Sequence, residues 1–464
     1  MPVFILHRFL YSDINIPIYS GIIIHNMTNR EIAEKIFRKA VASVQPELLI
    51  QNQVKVNGSV LHIFNEELNL EEIEHIYIIG AGKATASMAS AVEKILGKRI
   101  KNGHIVVKYG HSAPLQHISL TEAGHPVPDQ NGFSATEKIS AIASGAGIND
   151  LVICLISGGG SALLADSPYG ITQKDLAELN DTLVRCGADI REINIVRKHV
   201  SGIKGGRLAS ITYPARLISL ILSDVPGDSV ESIASGPTCP DPSTFNDAME
   251  VIERHGIKDK IPGSVLASLL NGVRGEVPES PKKDDLVFKR VSNYLIGTNR
   301  TALNAAADES SRMGLNTIIF NEVLACTVEK ASDLIINEAI GIKGDNSVRK
   351  PVALLFGGET IIKVTGKGLG GRNQHLALSC ALMLKEVDGI TVLAAGTDGN
   401  DGPTDAAGAV VDRSTIKKAL ELNLNPGKYL AGFDSYNFFR LAGGHIITGP
   451  TMTNVMDIAV VIVE

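Results

Sequence analysis

Five times along this 464-residue chain, a run of apolar residues ends in a polar turn that contains glycine. The turns are Gly80-Ala81-Gly82-Lys83, Ser157-Gly158-Gly159-Gly160-Ser161, Ser223 to Asp228, Gly357-Gly358-Glu359 and Gly396-Thr397-Asp398-Gly399. An uninterrupted apolar strand has no solvent face, so the sheet it joins must be covered on both sides. Segments of helical periodicity separate the runs, including 134–144, 173–187 and 191–204 in the first half and 300–314, 327–340 and 373–385 in the second. Strand, turn and helix repeating in this order predict an α/β fold built on parallel sheet. Ligands of such sheets bind in the crevice outside the carboxyl ends of the strands. Five equipped ends predict a site there.

A chain of this length exceeds one ordinary core, which predicts two domains. The polar, proline-containing stretch 272–288 reads as their boundary, giving an N-terminal domain over 27–274, a linker over 275–288 and a smaller C-terminal α/β domain over 289–464. A cleft between them completes the predicted architecture. Residues 1–26 are interrupted by His7, Arg8, Asp13 and two prolines, and offer neither a basic leader nor the ~20 apolar residues of a membrane span. At Met27 the character changes to a capped amphipathic helix, with Thr28 or Asn29 as N-cap and Glu31 in the first turn. Residues 1–26 are therefore read as a non-native or disordered extension ahead of a natural start at Met27. A net charge of −6 argues against nucleic-acid or anionic-membrane partners. The five cysteines form no CxxC pair, so neither a zinc site nor a disulfide framework is expected, and a reducing, cytoplasmic setting is.

Each turn carries chemistry alongside an ordinary structural explanation. Gly82 and Lys83 open a helix, where the dipole disfavours a cation unless an anion shares the site; the alternative is a solvated lysine. The sequence GAGKA is neither a GxxxxGK[ST] loop nor a full GxGxxG fingerprint. Ser157, Gly158, Gly159, Gly160 and Ser161 can form a nest of backbone N–H donors for an anion, or merely a tight helix–strand contact. Neither serine sits in a G-x-S-x-G elbow, which excludes the hydrolase reading. Asp224, Asp228 and Asp398 are candidates to hold a hard divalent cation, Mg²⁺ above all, against simple Asx-turn chemistry. Lys204 and Arg207 flank a glycine pair and are read as cations at a helix C-terminus that could contact phosphate. His125, Lys198 and His199 complete the polar inventory. In 354–372, two glycine-rich turns bracket a short strand and deliver Arg372 to a helix start, with Lys363 and Lys367 nearby. Such turns imply close backbone approach, and the surrounding basic side chains point to an anion. Anion loops, cations and carboxylates on two lobes suit phosphoryl transfer.

The ordered motifs IGAGKA, EAGHPVPD, SGGGSALL, NxVRKHxSxIKGGRLA, SDVPGDxxxxIASGPT, GTNRTAL, GGExxxxVxGxGxGGRNQ and AAGTDGxDGPTDAAGA resemble the two-domain glycerate kinases with a C-terminal MOFRL domain, over 28–464. The resemblance implies a Rossmann-like N-terminal domain, a smaller C-terminal MOFRL domain and an active site in the interdomain cleft. It implies ATP-dependent phosphorylation of D-glycerate to 2-phosphoglycerate with Mg²⁺ or another divalent cation. The family's functional lysine and arginine fall on Lys83 and Arg372. One departure is His375, where GGRNQ is commonly followed by Glu, and substrate preference or pH optimum is expected to feel it. Expected partners are D-glycerate and a nucleotide, with no nucleic acid or membrane, in a monomer or homodimer. Some members carry the name hydroxypyruvate reductase, so NAD(P)H-dependent reduction stays open as the alternative, and non-catalytic anion binding as a further one.

Overall fold

The computed structural model describes residues 27–168, 170–320 and 324–464, so the expectation for 1–26 lies outside the described residues. Chain order begins with the helix Asn29–Ser43, capped by Thr28 and Glu31 in a reciprocal box. A small antiparallel sheet follows: β1 Val54–Asn57, β2 Val60–Ile63 and β3 Glu66–Asn69. The first large sheet comprises β4 Ile76–Ala81, β5 Ile100–Lys108, β6 Ser119–Ala123, β7 Leu151–Ile156, β8 Arg216–Leu222 and β9 Val291–Gly297. All pairings in it are parallel, in the spatial order β6-β5-β4-β7-β8-β9. That is the Rossmann order, and it reverses direction between β4 and β7. Successive residues of these strands enter opposite cores, Ile78 and Ile153 one and Ile79 and Cys154 the other, which is why the runs are continuously apolar.

The second large sheet comprises β10 Asn316–Phe320, β11 Val352–Gly358, β12 Ile390–Gly396, β13 Gly408–Asp412, β14 His445–Ile446 and β15 Asp457–Val463, ordered β10-β11-β15-β12-β13-β14. The closing strand β15 is inserted antiparallel between β11 and β12. It therefore starts where they end, with Asp457 opposite Gly358 and Gly396.

Two sequence-based boundaries need correction. The strand expected to open the C-terminal domain at 289 is instead β9, the last strand of the first sheet, paired to β8. The polar stretch before it is a surface connection within the first lobe, and the chain passes to the second lobe only after Gly297, through the helix Asn299–Arg312. Conversely, the helix Asn29–Ser43 packs on the second sheet: Arg30 makes a bidentate pair with Asp412 at 2.5 and 2.8 Å, and Asn29 reaches Glu464 at 2.8 Å. Its buried Ile36 and Phe37 share one core with Ala395 and Val460. Separately, the helix expected over 191–204 is Ile190–His199. Lys204 and Arg207 thus lie at the start of the next helix, Arg207–Thr212, rather than at a C-terminus.

Among the described residues, no helix is long and apolar enough to cross a membrane. Burial has a pH consequence at His104 on β5, whose ring lies between Ser119 Oγ (2.6 Å) and Thr121 Oγ1 (3.1 Å). Burial, aided by Lys138, pulls its pKa from 6.5 to about 4. Between those values the unfolded chain binds the extra proton, so stability held above pH 6.5 is lost as the pH falls toward 4. We expect the thermal midpoint of His104→Asn to fall less steeply than wild type across that window; identical slopes in thermal denaturation at stepped pH would refute this.

Candidate active site

Lys83 stands at the reversal between β4 and β7, where both strand ends are stitched together. Gly82 N–H donates to Val106 O (3.1 Å) and Lys83 N–H to Gly158 O (2.8 Å). Ala84 N–H donates to Ser157 Oγ at 3.0 Å, and Thr85 Oγ1 shares a hydrogen bond with the same hydroxyl at 3.1 Å. Ser157 is fully buried and engaged in this stitching, and Ser161 bonds Ser235 at 2.7 Å. Gly159 carries the backbone that faces Lys83, with the His125 ring beside it. The helix after it, Gly160–Leu163, is a single turn. Burial, then the charge of Lys83, pulls His125 to about 4, which keeps it neutral. His111 Nδ1 donates to Lys83 O at 3.0 Å.

Arg372 opens the helix Arg372–Met383. Its Nε and Nη2 donate to the Asp457 carboxylate at 2.6 and 3.0 Å, and Nη1 lies 2.7 Å from Glu359 Oε1. The glycines before it do approach something closely, but that something is protein. Gly368 N–H donates to Gly432 O (3.1 Å), and Leu369 N–H donates to Asp434 Oδ1 (2.9 Å). A Cβ on Gly371 would lie 2.3 Å from the Asp401 carboxylate. Asp401 in turn accepts the N–H groups of Asn373 (3.0 Å) and Gln374 (2.8 Å), capping the helix, and burial pushes its pKa up to about 6. Lys363 and Lys367 are exposed. His375 is buried and stacks on Phe433 with centroids 4.9 Å apart, a packing role within the second lobe.

The two lobes meet at these ends. Lys83 Nζ lies 3.8 Å from Asp398 Oδ2, and Asn454 Nδ2 donates to Asp224 Oδ2 at 3.2 Å. Burial raises the pKa of Asp224, with Lys83 opposing and Asp398 adding to the rise. Burial also raises Glu359, opposed by Arg372 and reinforced by Asp457 and Asp224. A cavity of about 430 Å³ adjoins the group, between Pro226 of the first lobe and Glu359, Ile362 and Arg372 of the second. Lys83, Arg372, Asp224 and Asp398 of the sequence-based set thus converge, with the glycine turn 158–160.

Three others stand apart. Buried Lys204 faces Asp166 at 3.8 Å and donates to Leu164 O, and Arg207 Nη2 donates to Pro278 O at 3.1 Å. Both are engaged within the first lobe. Asp228 has a left-handed backbone (φ 52°), and its Oδ1 is buried without a hydrogen-bond partner. Sequence reasoning missed Glu359, Asn454 and Asp457 as site residues. The visible signal for Asp457 was a lone charge heading the otherwise apolar run of the closing strand.

Residues 32–270 match the family described as Domain of unknown function (DUF4147), and residues 352–457 match the MOFRL family. A D-glycerate 2-kinase of Thermotoga maritima is 39% identical over 433 residues, covering 93% of this chain and 97% of that protein. This chain belongs to the two-domain glycerate kinase family. A glycerate 2-kinase of Pyrococcus horikoshii is 40% identical over 440 residues, covering 94% and 98%. The crystal structure of a Thermotoga maritima glycerate kinase superposes with a TM-score of 0.83 at 38% identity, over 94% of this chain and 99% of that one. A Pyrococcus horikoshii OT3 crystal structure gives 0.81 at 39% identity, over 95% and 99%. A protein of Agrobacterium vitis, 37% identical over 444 residues and covering 95% of each chain, carries a provisional hydroxypyruvate reductase name. The family's architecture is the one described above, a parallel Rossmann-like sheet and a second α/β sheet.

Proposed function

We propose that this protein transfers the γ-phosphoryl group of ATP to D-glycerate in the cleft, releasing ADP and 2-phosphoglycerate. The observation that carries the reading is the convergence of Lys83 and Arg372 from opposite lobes on one carboxylate-rich group. The C2 hydroxyl oxygen forms the new bond to phosphorus as the bond to the ADP oxygen breaks, and the hydroxyl proton leaves toward the site carboxylates. A loose transition state asks little of a base, so positioning and charge neutralisation do most of the catalysis. Lys83 and Arg372 neutralise the phosphoryl group and the glycerate carboxylate between them, and the backbone of 158–160 borders the anion.

The donor set fits a divalent cation. Four carboxylates, Asp224, Glu359, Asp398 and Asp457, gather about two cations, Lys83 and Arg372, and burial first, with neighbouring carboxylates adding, raises Asp224 and Glu359. Asp224 and Asp398 would hold Mg²⁺, beside the Lys83 ammonium that Asp398 faces at 3.8 Å. When bound, the ion supplies charge neutralisation to the phosphates. Chelation with EDTA should abolish glycerate-dependent ADP release and added Mg²⁺ should restore it; an unchanged rate after chelation would contradict this assignment. The reductase alternative predicts instead that hydroxypyruvate drives NADH or NADPH oxidation without ATP. Family resemblance to curated glycerate 2-kinases supports the kinase reading.

A further inference from the structure

We propose that Asp457 and Asn299 are positioning residues that fix the plane of the Arg372 guanidinium. The proposal rests on the phosphoryl-transfer reading, in which Arg372 must meet developing charge at a set angle. Arginine hangs on four rotatable bonds, and a planar fork is useful only when its orientation is locked. Asp457, 1% exposed, takes both Nε and Nη2 of Arg372, so the bidentate pair defines the plane and leaves Nη1 directed at the half-open Glu359.

Asp457 is itself held by a turn that the surrounding protein over-determines. Met456, just before it, has φ +69°, a left-handed conformation that a side-chain-bearing residue adopts only under constraint. Asn299 and Thr397 impose the constraint. Asn299 Nδ2 donates to the carbonyls of both Val455 (2.8 Å) and Asp457 (3.0 Å). Thr397 donates its N–H (3.0 Å) and hydroxyl (2.6 Å) to Met456 O, and Val455 N–H donates to Thr397 Oγ1 at 2.9 Å. Room for Asn299 exists because residue 357 is glycine: a Cβ there would fall 1.8 Å from Asn299 Oδ1. The same turn carries Asn454, which crosses the cleft to Asp224. The asparagine of GTNRTAL and the threonine of AAGTDG therefore serve Arg372 without touching substrate.

The test is a set of double-mutant cycles. Asp457→Asn and Asn299→Ala should each lower kcat by roughly 10–100-fold, with the KM for D-glycerate changed by less than about 3-fold. In an Arg372→Ala background the same changes should add less than about 2-fold, because the group they orient is gone. Free guanidinium ion should partly rescue Arg372→Ala, and Asp457→Asn should abolish that rescue. Wild-type kcat in either single variant, or losses that multiply in full on Arg372→Ala, would overturn the proposal. Should Asp457→Asn fail to fold, the Asn299→Ala cycle decides alone. Full activity of Arg372→Ala by itself would sink the underlying site reading instead, which keeps the two failures distinct.

Discussion

Arg372→Ala lowers turnover by about 10²–10³-fold if the guanidinium supplies preorganised charge to the transferring group. It also strands the buried Asp457 carboxylate, although the arginine itself is a third open to solvent, so the variant loses about 1–3 kcal/mol of stability, the cost of leaving a buried acceptor unpaired. Lys83→Ala shares the catalytic loss without the structural one. Its ammonium lies 3.8 Å from Asp398 with both side chains partly open to solvent, and such pairs contribute on the order of 0–1 kcal/mol. Turnover by coupled ADP release, read beside thermal denaturation, separates the two. Near-wild-type turnover in Arg372→Ala would remove it from the mechanism, and an unchanged melting midpoint would argue against the Asp457 pair.

Gly158→Ala is the second large effect, and it should fall on activity alone. A Cβ at 158 would lie 1.9 Å from Asp224 Oδ2 and 3.0 Å from Asn454 Nδ2. The obstacle is the tip of a side chain, which rotates away at small cost, so the fold survives. Asp224 then leaves the cleft and its contact to Asn454 is lost. We expect kcat to fall by at least about 10²-fold with a midpoint shift of only a few degrees. Retained activity would mean that the position of Asp224 is immaterial; collapse of the fold would mean that the neighbouring turns cannot yield.

The first sheet was legible because its strands are buried on both faces, and continuous apolar runs such as 151–157 leave no other folding option. The helix start at Thr28 was legible because its capping box is local in sequence. The domain boundary was not. Residues 291–297 follow a polar loop and resemble a fresh start, yet they complete the sheet already begun, and only pairing to β8 reveals it. Glycine-rich 366–371 announced close approach without saying to what; the partners, Gly432, Asp434 and Asp401, lie 30 to 66 residues further along the chain and belong to the fold rather than to a ligand. Asp457 was hidden for the same reason. Its proximity to Arg372 depends on β15 slotting between β11 and β12, a long-range pairing that no local pattern encodes. The five equipped strand ends survive as the most informative signal, since Lys83, Asp224, Glu359 and Asp398 all stand on them.

The most direct test of phosphoryl transfer incubates the purified protein with D-glycerate, ATP and Mg²⁺ and follows the mixture by ³¹P NMR. The account predicts a phosphomonoester resonance of 2-phosphoglycerate that grows in step with ADP and is absent without D-glycerate. No new phosphomonoester, together with NADH or NADPH oxidation by the same preparation on hydroxypyruvate, would contradict it.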